Sequence, residues 1–348
     1  MKRIKPVLLL FVALAALAAY LILTRTGSTL KGELKDFAYA DTAAVTRIFM
    51  ADMDGRRVTV DRQPGGVWTV NGKFTARKDA IDNLLNTIKS VEVKSPVGKN
   101  LYNNTMKLMA AKSVKVEVYA GAEAVKVYYV GHPTLDNLGT FMYLEGSTVP
   151  FITHIPGFNG FLSTRYFASE AEWRDKSVFR LDPRSITRVG ITEFLRPSRS
   201  FTLNRQADSS YVLVKTADNQ PVLPLEINTV RAFLSAFSET YFERIDLDIS
   251  PQRRDSVLRA GPFAEIQVAT DAGKELKLTC YRKPVTSQSR LQIDFTGEDL
   301  PFDYDRFYAL VQGDSTLLVC QYFHFDRILK DPVNFSPGPD KTPAQSRF

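Results

Sequence analysis

Residues 45–62 read VTRIFMADMDGRRVTVDR, and residues 186–205 read ITRVGITEFLRPSRSFTLNR. Both stretches begin with a β-branched residue, Thr, Arg and a second β-branched residue. Each then continues into a second segment that alternates as a strand does, so each stretch predicts two antiparallel strands. Such a pattern, returning within a chain of 348 residues, indicates two copies of one structural unit.

A helix follows the strands in both copies, because apolar residues recur at the spacing of one helix face. These residues are Ile81, Leu84, Leu85 and Ile88 in the first copy, and Val230, Phe233, Leu234 and Phe237 in the second. Strand patterns return at residues 114–118 and 125–130, and again at 264–268 and 276–281. We therefore predict an α+β fold of two tandem duplicated units, residues 37–155 and 179–330. Each unit is expected to be a mostly antiparallel sheet with two helices, in the order β-β-β-α-α-β-β-β-β.

A connector rich in aromatic residues and glycine, residues 156–178, joins the two predicted units. Its residues Phe158, Phe161, Tyr166 and Trp173 are candidates for a patch that docks a partner. The alternative is that these side chains pack the two units together, as large aromatic residues commonly do. After the second unit, residues 331–348 contain four prolines and few large apolar residues, which predicts a disordered tail.

The positive charge of the chain is concentrated at its N-terminus. The formal net charge is +7, and residues 1–35 alone hold six basic residues and one acidic residue. A protein that binds nucleic acid carries its basic excess on the folded body. The charge distribution therefore argues against nucleic acid as a partner.

An apolar run extends from Val7 to Leu23 without a charged residue. A helix of that length measures about 26 Å, close to the hydrocarbon thickness of a bilayer. Three basic residues precede the run, and the positive-inside tendency then keeps the N-terminus in the cytoplasm. We predict a transmembrane anchor at residues 7–23, a tether up to residue 36, and a periplasmic bulk. A cleaved signal peptide and a buried core helix are the alternatives.

The sequence shows no signature of catalysis, of a cofactor site or of a metal site. The three histidines, His132, His154 and His324, lie far apart, and the glycine-rich loops and nucleophile motifs of common enzymes do not occur. Asp52 and Asp54 could bind a cation, although their position between two strands is more typical of a hairpin turn. We therefore predict no catalytic, cofactor-binding or metal-ligating residues, and a protein that is not an enzyme.

Cys280 and Cys320 both fall in the second predicted unit. Cys280 shares a strand face with Leu276 and Leu278, which places its thiol toward the core. An oxidising compartment would permit a disulfide between the two cysteines. Two buried thiols are the alternative, and a nucleophilic cysteine would lack the paired histidine that activates it.

Five of these segments together resemble the domain of unknown function 4340, a family of bacterial envelope proteins. The resemblance is carried by residues 41–48, 68–72, 80–85, 128–131 and 156–167. It implies a single-span envelope protein, and some members are encoded beside components similar to ABC-type transport systems of the gliding-motility kind. No catalytic residues follow from the resemblance, because none are established for the family.

We expect a non-enzymatic, single-pass protein that acts as a scaffold or accessory subunit of a membrane transport or motility-like complex. The expected partners are the inner membrane and a membrane protein such as an ABC-type permease. The alternative is a periplasmic module that binds an envelope carbohydrate or peptide, with aromatic residues of the connector as its platform.

Overall fold

The computed structural model describes Tyr20 and residues 35–337. The chain divides into two units between Asp175 and Lys176. Residues 156–175 therefore belong to the first unit, whereas the sequence suggested a separate connector. The predicted anchor, apart from Tyr20, and the tail beyond residue 337 lie outside the described residues. Within the described residues, no helix has both the length and the apolar character needed to cross a bilayer.

The first unit, over residues 35–175, is built on one antiparallel sheet in the order β4-β3-β2-β1-β6-β7-β8-β9-β5. Its strands are β1 Val45–Asp52, β2 Arg57–Arg62, β3 Trp68–Val70, β4 Phe74–Thr75, β5 Glu92–Pro96, β6 Val114–Ala120, β7 Glu123–Pro133, β8 Thr140–Leu144 and β9 Phe151–His154. Its helices are α1 Lys78–Ser90, α2 Lys99–Lys112 and the short α3 Glu170–Trp173.

The second unit, over residues 176–337, is built on an antiparallel sheet in the order β13-β12-β11-β16-β17-β18-β19-β15. A two-stranded ribbon, β10 with β14, accompanies this sheet. The strands are β10 Ser177–Phe179, β11 Ile186–Glu193, β12 Phe201–Arg205, β13 Tyr211–Lys215, β14 Thr240–Tyr241, β15 Arg244–Ile245, β16 Ala264–Thr270, β17 Glu275–Pro284, β18 Phe302–Val311 and β19 Leu318–Gln321. The helices are α4 Ile227–Ser235, α5 Pro251–Arg259 and α6 Tyr322–Phe325. The predicted α+β class with mostly antiparallel sheets is confirmed.

The two sheets share one strand order. When the edge strand β4 is left out, the order β3-β2-β1-β6-β7-β8-β9-β5 in the first unit corresponds to β13-β12-β11-β16-β17-β18-β19-β15 in the second. The pairing of β1 with β6 shifts register between Val45 and Arg47, and the pairing of β11 with β16 shifts between Ile186 and Arg188. Similar topology and a bulge at the same point therefore occur in both units.

The predicted element order needs several corrections. The structure adds β4 to the first unit and β10 and β14 to the second, and each unit has a short third helix. In addition, β5 and β15 lie between the two main helices of their units. Each is an edge strand that pairs with the last strand of the unit, β9 or β19. β5 alternates only between exposed and half-buried residues, and β15 has two residues. Such strands are defined by their distant partner and carry little pattern of their own.

The helix faces that the sequence indicated are buried. Ile81, Leu84 and Ile88 of α1 pack into a core with residues of β1, β2, β6 and β7. Val230, Phe233 and Leu234 of α4 are buried in the second unit. Burying one such side chain contributes about 1.5–3 kcal/mol, so these faces are what holds each helix in place.

The predicted disordered tail also needs a correction over its first residues. Pro332–Phe335 form a 3-10 turn, and the Phe335 ring lies 5.4 Å from that of Phe201 and 5.2 Å from that of Phe233. Phe335 is fully buried, and its carbonyl accepts a hydrogen bond from the backbone N–H of Glu226. The second unit therefore extends at least to Phe335 and does not end at residue 330.

Candidate functional site

The four aromatic residues predicted to dock a partner do not form one patch. Tyr166 and Trp173 are buried in the core of the first unit. The Trp173 indole N–H donates to the carbonyl of Phe167, and the hydroxyls of Tyr128 and Tyr166 lie 3.2 Å apart. The docking assignment is therefore wrong for Tyr166 and Trp173, because large apolar rings are most stable where water is excluded.

Phe158 and Phe161 keep part of their surface. The ring of Phe158 is 37% exposed, with the Arg165 guanidinium 4.3 Å from its centre, and Phe161 is half-buried. A stacked arginine covers one face of the Phe158 ring. Docking through Phe158 and Phe161 stays a prediction.

Cys280 and Cys320 are free thiols, and both are completely buried. Cys280 lies on β17 and Cys320 on β19, with β18 hydrogen-bonded between these strands. Two strand spacings amount to about 10 Å, which exceeds the Cα separation that a disulfide requires. The disulfide alternative is therefore not what the structure shows. Burial raises the pKa of both thiols, which makes them poor nucleophiles.

Asp52 and Asp54 belong to the hairpin between β1 and β2. Asp52 accepts hydrogen bonds from the backbone N–H groups of Asp54 and Arg56, and the Arg56 side chain binds both carboxylates. These carboxylates are satisfied by the turn, so the hairpin interpretation is confirmed. Among the described residues, no group of three or more His, Cys, Asp or Glu side chains could hold a metal ion.

The second unit carries a long loop, residues 285–301, which we call the flap. It connects β17 to β18 through seventeen residues, whereas residues 134–139 connect β7 to β8 in the first unit through six. Loops longer than about 12–15 residues are uncommon, and they are usually functional or disordered. The flap has a defined turn, because Asp294 Oδ1 accepts hydrogen bonds from the backbone N–H groups of Thr296 and Glu298.

Three apolar side chains of the flap face solvent. Leu291, Ile293 and Phe295 are exposed by 52%, 54% and 97%. Single exposed apolar residues are ordinary, but three within five residues of a structured loop mark a candidate interaction site.

The base of the flap is fixed by a buried polar network. Lys283 Nζ donates to Asp303 Oδ2 at 3.1 Å, and Ser289 Oγ donates to the same oxygen at 2.7 Å. All three side chains are buried. Burial acts to raise the pKa of Asp303, but hydrogen bonds from Ser289 and Lys283 outweigh it, so the pKa of Asp303 is lowered. The network therefore contains a charged carboxylate at neutral pH and ties one flap residue to the sheet.

A cavity of about 400 Å³, which we call the groove, lies beside the base of the flap. It adjoins a second cavity of about 280 Å³, and the two share Leu195, Phe263, Arg282 and Phe302. The groove is also lined by Glu193 at the end of β11, by Arg196, and by Tyr304 and Tyr322. Its walls therefore combine aromatic rings with charged groups, a mixture typical of ligand sites.

The charged groups of the groove are unequally paired. Glu193 is buried, and its Oε2 accepts a hydrogen bond from Arg196 Nε at 3.0 Å. Its Oε1 is buried without a hydrogen bond, with Arg199 Nε in ionic contact at 3.4 Å. The guanidinium of Arg282 lies 4.9 Å from the ring centre of Phe302, and within the described chain no ion pair involves it. Among the described residues, the carboxylate of Glu193 is therefore enclosed by Arg196 and Arg199, whereas the guanidinium of Arg282 has no ion partner.

Sequence reasoning missed both the flap and the groove. The flap had a detectable signal, because the second copy contains residues between its last matched strands that the first copy lacks. The groove had none, because its residues come from six separate segments between Glu193 and Leu329.

Comparison with known proteins gives one match. The family model for the domain of unknown function DUF4340 matches residues 67–255. No curated protein and no solved structure matches the chain. Because the match covers more than half of the chain, the protein belongs to the DUF4340 family.

Proposed function

We propose that the protein is a non-enzymatic, single-pass envelope protein that serves as an accessory or scaffold subunit of a membrane transport or motility-like complex. In this proposal residues 7–23 anchor the chain in the inner membrane, and the described units lie in the periplasm. The uncharged apolar run and the basic residues before it support the anchor. The proposed partner is a membrane protein such as an ABC-type permease.

We also infer that the two units arose by duplication. The shared strand order and the register shift at the same point of both sheets support this inference. Under duplication, the flap is a segment present in only one of the two copies. A segment that one copy can lack without loss of the fold is free to serve binding instead.

The observation that carries the scaffold proposal is the flap. Exposing three apolar side chains to water is unfavourable. Ser289 ties the base of the flap to the sheet, and the turn at Asp294 orders the backbone beside Ile293 and Phe295. A prearranged apolar loop loses little conformational entropy when a partner covers it. We therefore propose that Leu291, Ile293 and Phe295 dock against an apolar surface of the membrane partner.

Site-specific photo-crosslinking in intact cells tests this proposal. A photoreactive phenylalanine analogue replaces Phe295 in one variant and Leu135 in the other. Leu135 is the matched control, because it is exposed in the six-residue loop of the first unit. We expect a crosslink to a membrane protein from position 295 and none from position 135. The absence of any crosslinked protein at position 295, or equal crosslinking at both positions, would count against the docking role.

A periplasmic ligand-binding module is the second candidate function. The groove favours it, because its volume lies in the range of small-molecule sites and its walls hold both aromatic and charged groups. The two candidate functions are compatible, because Leu291, Ile293 and Phe295, which form the flap tip, do not line the groove.

A further inference from the structure

We infer that the groove of the second unit binds an acidic carbohydrate, that is, a sugar that carries a carboxylate. The inference rests on the second candidate function, the ligand-binding module, and names the class of its ligand. It does not depend on the scaffold role, because it requires neither the exposed flap residues nor a protein partner. It rests on three properties of the groove: its size, the Arg282 guanidinium without an ion partner, and its rigid aromatic wall.

The size of the groove suits one or two sugar rings. A volume of about 400 Å³, with 280 Å³ adjoining, falls within the range of roughly 300–1,000 Å³ that small-molecule sites occupy. The boundary between the two cavities is formed by Arg282 and Phe302, which line both. A ligand in either cavity therefore contacts the Arg282 side chain.

Arg282 provides the anion-binding group. The planar guanidinium matches a carboxylate with two parallel hydrogen bonds, and such charge-assisted bonds are about twice as strong as neutral ones. No ion pair within the described residues occupies this guanidinium, and it is held over the ring of Phe302. Arg282 is therefore already oriented and has its charge available.

The aromatic wall provides a flat apolar surface. The rings of Phe263 and Tyr322 lie 5.8 Å apart, and the buried Phe307 ring contacts them at 5.6 Å and 4.9 Å. Three mutually packed rings have little freedom to rotate, so the surface exists before a ligand arrives. The C–H face of a sugar ring fits such a surface.

A carbohydrate fits better than an extended peptide. A peptide that binds as an added strand needs an unpaired sheet edge. At the groove, β17 and β18 pair with each other at Arg282 with Phe307 and at Pro284 with Phe302, and two prolines, Pro284 and Pro301, remove backbone donors there. Side chains therefore dominate the groove wall, and the acidic peptide probe in the test below decides between the two ligand classes.

The test is calorimetric titration of the purified full-length chain in a detergent without a sugar headgroup. The probes are digalacturonic acid, its neutral counterpart galactobiose, and a short acidic peptide. Arg282→Gln removes the cation, and Arg231→Gln is the matched control, because Arg231 is exposed on α4 and lies outside the groove. Far-ultraviolet circular dichroism establishes that each variant is folded.

We expect digalacturonic acid to bind and galactobiose to bind at least about tenfold more weakly, since one charge-assisted pair is lost. Arg282→Gln should weaken binding of the acidic sugar by about tenfold or more, and Arg231→Gln should leave it unchanged. Absence of binding by the acidic sugar at millimolar concentration would overturn the inference, as would binding that Arg282→Gln does not affect. Binding of the peptide alone would overturn the assignment to a carbohydrate. None of these results depends on crosslinking at the flap, so this inference and the docking proposal fail separately.

Discussion

Replacing Lys283 with methionine should destabilise the second unit strongly while leaving the first unit unchanged. The side chains of Lys283 and Asp303 are only 3% and 2% exposed, and Nζ lies 3.1 Å from Oδ2. Removing one partner of a buried ion pair leaves the other charge buried without its counter-ion, which typically costs about 3–5 kcal/mol. Ser289 alone would then remain bonded to the Asp303 Oδ2 oxygen.

The chain contains a separate reporter for each unit. Both tryptophans, Trp68 and Trp173, lie in the first unit, and both cysteines, Cys280 and Cys320, are buried in the second. Tryptophan fluorescence during urea unfolding therefore follows the first unit, and labelling of the thiols follows the second. A loss of 3–5 kcal/mol should raise the native-state labelling rate by about a hundredfold to a few thousandfold.

Lys277→Met is the matched control, on the same strand β17. Lys277 pairs with Glu265 at 2.7 Å, but its side chain is 40% exposed, so breaking this pair should cost about 1 kcal/mol or less. Combining Lys283→Met with Asp303→Asn should recover part of the loss, because no buried charge is left. Equal labelling of the two lysine variants, or a loss below about 1 kcal/mol for Lys283→Met, would refute the reasoning.

Three further predictions follow from the folded units. Phe335→Ala should destabilise the second unit by about 3–5 kcal/mol, measured by thiol labelling, whereas the exposed Val333→Ala should change it by less than about 0.5 kcal/mol. Burial lowers the pKa of His132, so the folded first unit binds a proton at His132 less readily than the unfolded chain does. The stability of this unit should therefore fall as the pH drops below about 6.5, with a slope of at most about 1.4 kcal/mol per pH unit. His132→Gln should reduce that slope, measured by urea unfolding followed by fluorescence. Residues 35–175 and 176–337, expressed separately, should each unfold in one cooperative transition by circular dichroism, and ending the second fragment at residue 330 should abolish its transition because Phe335 is lost.

The sequence pattern was sufficient for the elements that bury one regular face. The helical spacing around Leu84 and Phe233 predicted α1 and α4 correctly, because burial of one helix face repeats every three to four residues. The alternation of β6 and β16 was equally clear. These elements carry their structural information locally.

Features that depend on distant contacts were not predictable in this way. A register shift between Val118 and Tyr119 moves the pairing of β6 with β7 by one residue. Matching residues 125–130 to 276–281 by sequence places Val127 opposite Leu278. In the two sheets, however, Tyr128 occupies the position that Leu278 occupies in the second unit. Phe335 was assigned to a disordered tail because four prolines dominate that segment, although a single ring fills a space between Phe201 and Phe233. The groove required residues from six segments to meet, which no local pattern records.

The edge strand β5 has a consequence for biosynthesis. Residues 92–96 leave the ribosome well before residues 151–154, their hydrogen-bonding neighbours in the finished sheet. The same delay separates residues 244–245 from 318–321. In a nascent chain, β5 and β15 therefore remain unpaired until translation of each unit is nearly complete. A truncated product that lacks β9 or β19 would leave the edge strand β5 or β15 without its hydrogen-bonding partner. Such an unpaired edge promotes aggregation and exposes the product to quality-control proteases.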